Sequence, residues 1–399
     1  DNKVRGIESI DITGSGDNAL VLDVLEVLNL SDTSNTLVVT ADVGDTVDIG
    51  SGWSAAGYET IDGSLYEVFT QGAATVKSSA FSFYEDGADV FIELHDDDQD
   101  VSIVATTTGY EFTLSIGQWA GTDSANVSGN GSSVLTMSAA GVAQFDTVHI
   151  DDLASNGSVT FNDSGLNSYG DTFLVNLDET GAGTISFSGA TNFTGTADLD
   201  AKTNRNVLVN AGATVTTVDG DLALSANTQL APADGGFVGL DVAGGTLQVT
   251  GTGLLNLAAR GGNQGSNQRG IAISAGGKIL GGSGIVTVNG TGGASNGDGN
   301  TGVHVVAADS IITSSGGNVS VTGQGGGTGS SADNVGVNLD NGGEITSGGM
   351  GTVTITGTGG SSGGDNNWGV NLAHDDSQIT SGGGDITVSG QGGGSGASA

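Results

Sequence analysis

A parallel β-solenoid with coils of about 33 residues is the fold class this sequence predicts, and three observations predict it. The motif Gly239-Leu240-Asp241-Val242 returns as Gly270-Ile271-Ala272-Ile273, Gly302-Val303-His304-Val305, Gly336-Val337-Asn338-Leu339 and Gly369-Val370-Asn371-Leu372. Two further apolar columns keep the same step: Ile279, Ile312, Ile345 and Ile379, then Val286-Thr287-Val288, Val319-Ser320-Val321, Val353-Thr354-Ile355 and Ile386-Thr387-Val388. Finally, 74 glycines stand beside a single proline without a three-residue period, which excludes collagen and proline-rich linkers.

Each of the three strands alternates apolar and polar residues, a period of two that sends one set inward and the other outward. Val353 is therefore expected in the core and Thr354 in solvent. One coil cannot bury its own apolar face, so the coils stack in parallel about 4.8 Å apart. Each inward Val or Ile then meets a similar residue above and below. The corner between the second and third strands, such as Ser381-Gly382-Gly383-Gly384, is expected to use glycine for its access to positive φ. After the third strand come polar segments at 290–301, 323–334, 357–368 and from 390 onward. They share one place in the repeat and are expected to project from one edge, which makes Asn300, Asn334, Asn367 and Trp368 the candidate ligand or partner surface.

The repeats are clear from about residue 206. Weaker strands at Val148-His149-Ile150, Val159-Thr160-Phe161 and Ile185-Ser186-Phe187 extend the pattern back, so residues 140–399 are read as one region of about eight coils, on the order of 40 Å of axial rise. Residues 1–78 form a different, β-rich module in which Asp23 to Leu30 has room for one or two helical turns. Residues 79–139 read as hairpins with turns at Asp86-Gly87 and Thr108-Gly109, a cap or spacer that would cover an open strand edge.

Eight Lys and Arg face 45 Asp and Glu, a formal charge of -37. Phosphate binding needs clustered cations, so neither nucleic acid nor an anionic membrane surface is expected as a partner. No apolar run reaches the roughly 18 to 20 residues that span a bilayer, so no membrane-embedded segment is expected. Cysteine is absent, which removes disulfides and thiolate metal sites. The chain opens at Asp1 without a signal peptide and closes inside a repeat, and is read as a piece of a larger secreted or cell-surface protein.

The run Ile7-Glu8-Ser9-Ile10-Asp11-Ile12-Thr13-Gly14, with Asn18-Ala19-Leu20-Val21-Leu22, Gly44-Asp45-Thr46-Val47 and Gly52-Trp53 after it, resembles a module of giant repetitive bacterial adhesins exported by type I secretion. The repeats of residues 206–399, with Val-Thr-Val-x-Gly-Thr-Gly-Gly and Ile-Thr-Ser-Gly-Gly, resemble the β-helical regions of filamentous haemagglutinin-like and autotransporter-like surface proteins. The resemblance implies a right-handed parallel β-helix, an extracellular adhesive or scaffolding role, and no catalytic residues. The partners it implies are other copies or neighbouring segments of the same surface protein, glycans, and cell-surface molecules. Tandem calcium nonapeptides of the Gly-Gly-x-Gly-x-Asp form are missing from the repeats.

The densest acidic cluster holds Glu85, Asp86, Asp89, Asp96, Asp98 and Asp100. Hard oxygen ligands beside a Gly turn suit Ca²⁺, which takes about six to eight of them, and these six residues are the candidate metal ligands; the alternative is solvated hairpin turns. A polysaccharide lyase or hydrolase is the rival function, with Asp151, Asp152 and Asp163 as its carboxylates. No Lys or Arg between Lys77 and Lys202 complements an acidic sugar there, and the chain is read as no enzyme. The outward column Asn256, Thr287, Ser320, Thr354 and Thr387 raises a third reading, an ice- or glycan-binding face. Against ice stands the expectation of a single outward position per strand. His304 is expected on the surface with Asp241, Asn338 and Asn371, and without a zinc partner.

Overall fold

The computed structural model describes the chain except for residues 1–3, 14–17, 42–44, 62–63, 80–81, 95–98, 120, 122, 153–155, 178–182, 375 and 395–399. It is an all-β protein with long parallel-strand sheets, in two compact units, Asp1–Ala154 and Ser155–Ala399.

The first unit contains a five-stranded sheet in the order Ser9–Asp11, Thr36–Thr40, Ala74–Ser78, Ser64–Gln71, Ser54–Ile61. Its core is Val27, Leu37, Val39, Val47, Phe69 and Val76. The helical turns expected after Asp23 are a helix, Val24–Leu30, opened by a capping box in which Asp23 accepts from the Glu26 amide at 2.7 Å and Glu26 accepts from the Asp23 amide at 2.8 Å. The hairpins form as Phe83–Asp86 with Asp89–Leu94 and Val101–Thr106 with Gly109–Leu114. The strand Thr147–Asp152 pairs in parallel with Asp89–Leu94.

The second unit is three parallel ladders. The first runs Val159–Phe161, Thr184–Phe187, Asn206–Val209, Leu240–Ala243, Ile271–Ser274, Val303–Val306, Val337–Asp340, Val370–Leu372. The second passes through Thr214–Thr217, Thr246–Val249, Lys278–Gly281, Ile311–Ser314, Glu344–Ile345 and Gln378–Ile379. The third holds Leu222–Ala226, Leu255–Arg260, Val286–Thr291, Val319–Gln324, Val353–Thr358 and Ile386–Gln391. The registers are those of the sequence repeat: Val303 pairs with Val337, Ile312 with Ile345, and Val319 with Val353. Val353 and Ile355 are fully buried while Thr354 and Thr356 are exposed.

The spacing between paired strands is uneven. In the third ladder Phe173 aligns with Leu199, Leu199 with Leu222, and Leu222 with Leu255, so the long polar segment enters only after Ala226. The short repeats are filled by aromatics, with Phe161 stacked on Phe187 at 5.1 Å and Tyr169 on Phe193 at 5.0 Å. Aliphatic side chains such as Val303, Ile312 and Val319 take over in the longer repeats.

The expected positive φ is met at Gly349, in the corner Ser347–Gly351, with φ +54, but most corner glycines serve another purpose. Gly382, Gly383 and Gly384 do not adopt positive φ; a Cβ on Gly384 would lie 2.3 Å from the Gly351 carbonyl oxygen. The same holds at Gly323, where a Cβ would meet the Gly336 carbonyl oxygen at 2.1 Å. Close passage of backbone over backbone, more than turn geometry, is what demands glycine at these places.

Candidate contact groove

The polar segments after the third strand build an internal amide ladder. Gln268, Asn300, Asn334 and Asn367 hold equivalent places in successive repeats and are 5%, 0%, 0% and 6% exposed. Asn300 Nδ2 donates to Asn334 Oδ1 at 2.9 Å, and Asn334 Nδ2 to Asn367 Oδ1 at 3.0 Å. The side-chain oxygens also accept the backbone N–H of the preceding repeat, from Gln268 to Asn300 at 3.1 Å, from Asn300 to Asn334 at 3.1 Å, and from Asn334 to Asn367 at 3.0 Å. This corrects the expectation that Asn300, Asn334 and Asn367 form a contact surface. Their amides satisfy buried backbone donors that the polar segments would otherwise leave unpaired. Trp368, next in sequence, is 46% exposed.

Beside the ladder lies a groove of about 430 Å³ on the outer face of the first strand column, lined by Arg269, Asp298, His304, Asp333, Asp340 and Trp368 among others. That face is not open to solvent as the strand alternation implies. Ala272 and His304 occupy outward positions yet are 2% and 7% exposed, because the polar segments fold beside them. Burial, and next the Arg269 guanidinium, push the His304 imidazole down to about 4, with Asp340 acting in the opposite sense. Burial also raises the Asp241 carboxyl and lowers the Arg269 guanidinium, each partly offset by the other. Asp340 is held in turn by His374 Nδ1. The expectation of a surface His304 is corrected to a buried one, because alternation assigns a side to a side chain without saying what covers that side.

Of the acidic candidates, Glu85, Asp89 and Asp100 each have a different partner. Glu85 accepts from the Ser124 hydroxyl, Asp89 lies 3.8 Å from His149 Nε2, and the Asp100 amide donates to Ser115 Oγ at 3.1 Å. Asp96 and Asp98, and the side chain of Asp86, lie outside the described residues, as does His95. Among the described residues no three His, Asp or Glu side chains converge as a metal would require. Of the carboxylates considered for an enzyme, Asp163 accepts the Tyr169 hydroxyl at 2.9 and 3.0 Å, and Asp152 is buried.

The third strand column is longer than its apolar core implies. Val286–Thr291, Val319–Gln324 and Val353–Thr358 each pair through all six residues, so Thr287, Asn289 and Thr291 all face outward, as do Ser320, Thr322 and Gln324. The expectation of one outward position per strand is corrected to three. Among the described residues no helix is long and apolar enough to cross a membrane. No protein-family model, no curated protein and no solved structure matches this chain.

Proposed function

We propose that this chain is a segment of a large secreted or surface-anchored bacterial protein, built as a right-handed parallel β-helix and serving as an adhesive or scaffolding stalk. The observation that carries this reading is the unbroken register of the three ladders from coil to coil, in which every coil from Leu240 to Gln391 donates a strand to each. Such an array resists bending and extension through backbone hydrogen bonds, and leaves one edge free to carry variable polar segments. The acidic composition keeps neighbouring stalks apart in solution. Contact is made by the loop edge, and no turnover is involved. Beads coated with the full chain should adhere to glycan-bearing cell surfaces and leave a panel of polysaccharides uncleaved. Cleavage by the native chain that is lost in Asp151→Asn would replace this reading with the β-helical enzyme.

A further inference from the structure

The groove beside the amide ladder contains three buried polar atoms with no hydrogen-bond partner. His304 is 7% exposed, and both Nδ1 and Nε2 are unpaired. Arg269 Nε is unpaired as well, although its Nη2 donates to Asn267 Oδ1 at 3.0 Å. A buried donor or acceptor left unmade costs free energy that a suitable ligand would restore. The chemistry of that ligand follows from the groups.

A neutral imidazole presents one N–H donor and one lone-pair acceptor. Its low proton affinity keeps His304 in this form at neutral pH. With the Nε–H of Arg269, the side chains beneath the groove floor hold two donors and one acceptor. A hydroxyl group is both donor and acceptor, so two neighbouring hydroxyls satisfy such a set without placing charge in the groove. Carboxylates along the walls, Asp298, Asp333 and Asp340, outnumber the single guanidinium of Arg269, so an anionic ligand meets net repulsion. Trp368, 46% exposed, adds a flat apolar face of the kind that stacks on a sugar ring. The volume of about 430 Å³ is within the usual span of about 300 to 1,000 Å³ for small-ligand sites.

We propose that this groove binds a neutral saccharide, one ring stacked on Trp368 and a pair of hydroxyls bonded to His304 and Arg269. The proposal rests on the reading of the loop edge as a contact surface and names what that surface recognises. Because the imidazole nitrogens and Arg269 Nε are enclosed, binding includes side-chain shifts that uncover them.

The full chain is tested on an array carrying neutral gluco-, manno- and galacto-oligosaccharides beside oligogalacturonate and alginate fragments. Binding of at least one neutral series is expected, with a tenfold or greater loss in Trp368→Ala and in His304→Ala, no change in Asn289→Ala on another face, and a shift of the His304 ring signals on titration. Trp368→Ala removes an exposed side chain, so it reports on binding even where His304→Ala loses stability. Binding confined to the acidic fragments, binding indifferent to Trp368→Ala, or no binding at all overturns the proposal. Bead adhesion is measured in parallel. If adhesion persists while no saccharide binds, the saccharide assignment alone falls; if adhesion is also absent, the contact reading falls with it.

Discussion

Asn334 Nδ2 donates to Asn367 Oδ1 at 3.0 Å while Asn334 Oδ1 accepts from Asn300 Nδ2 at 2.9 Å, so one amide is tied to the coil on either side. Asn334 Nδ2 also reaches Ser331 Oγ at 3.0 Å and Ser362 Oγ at 2.9 Å. Asn334→Ala removes the acceptor of the Asn300 amide N–H and leaves buried groups unpaired in two coils. At about 1 to 3 kcal/mol per buried unsatisfied group, a loss of about 2 to 5 kcal/mol is expected in urea denaturation. Asn289→Ala, on an exposed outward position, should change stability by less than about 0.5 kcal/mol. Equal effects would mean that the ladder is not a stabilising element.

Val353 and Thr354 are adjacent, yet one is fully buried and the other exposed. Val353→Asp places an unpaired carboxylate between Val319 and Ile386, its register partners, at a cost of several kcal/mol. Thr354→Asp should stay within about 0.5 kcal/mol. Comparable shifts in melting temperature for the two variants would refute the register.

The three ladders of the second unit were legible because strand alternation and a fixed step both leave marks in sequence. Val286, Val319, Val353 and Ile386 stand in one column in the sequence and in the structure. What stayed hidden was written in residues without side-chain character. Gly290, Gly323 and Gly357 occupy inward positions that extend the third strand past its apolar core, and a glycine carries no hydropathy signal that it faces inward. The asparagines were misplaced for a related reason. A polar residue in a polar segment reads as solvated, whereas Asn300 and Asn334 turn inward to pair with backbone and with each other. Polarity alone does not distinguish an amide hydrogen-bonded to water from one hydrogen-bonded to the chain.

The glycine column yields its own test. At Gly323 a Cβ would sit 2.1 Å from the Gly336 carbonyl oxygen, whereas at Gly316 it would meet nothing within 4 Å, and neither residue has positive φ. Gly323→Ala must push two coils of backbone apart, and a loss of about 1 to 3 kcal/mol or more is expected. Gly316→Ala should be neutral or stabilise by up to about 1 kcal/mol, since it restricts the unfolded chain without a native clash. Denaturation midpoints that move alike in the two variants would show that close backbone approach does not select glycine here.

His304 makes stability depend on pH in a defined direction. Its imidazole titrates near 4 in the folded chain against 6.5 for an ordinary histidine, from burial first, then Arg269, with Asp340 opposed. Between those values the unfolded chain holds a proton that the folded chain does not, so stability rises with pH across that window. The contribution is fully present above about pH 6.5 and is lost as pH falls toward 4, to a limit of about 3 kcal/mol. Carboxylates titrate near the lower end, so the informative quantity is a difference. Stability of the native chain minus that of His304→Gln, followed from pH 7.5 to 4.5, should fall steadily through the window, because glutamine keeps a donor and an acceptor but takes up no proton. A difference that stays flat would place the imidazole in contact with solvent, and would remove the buried neutral histidine on which the groove chemistry depends.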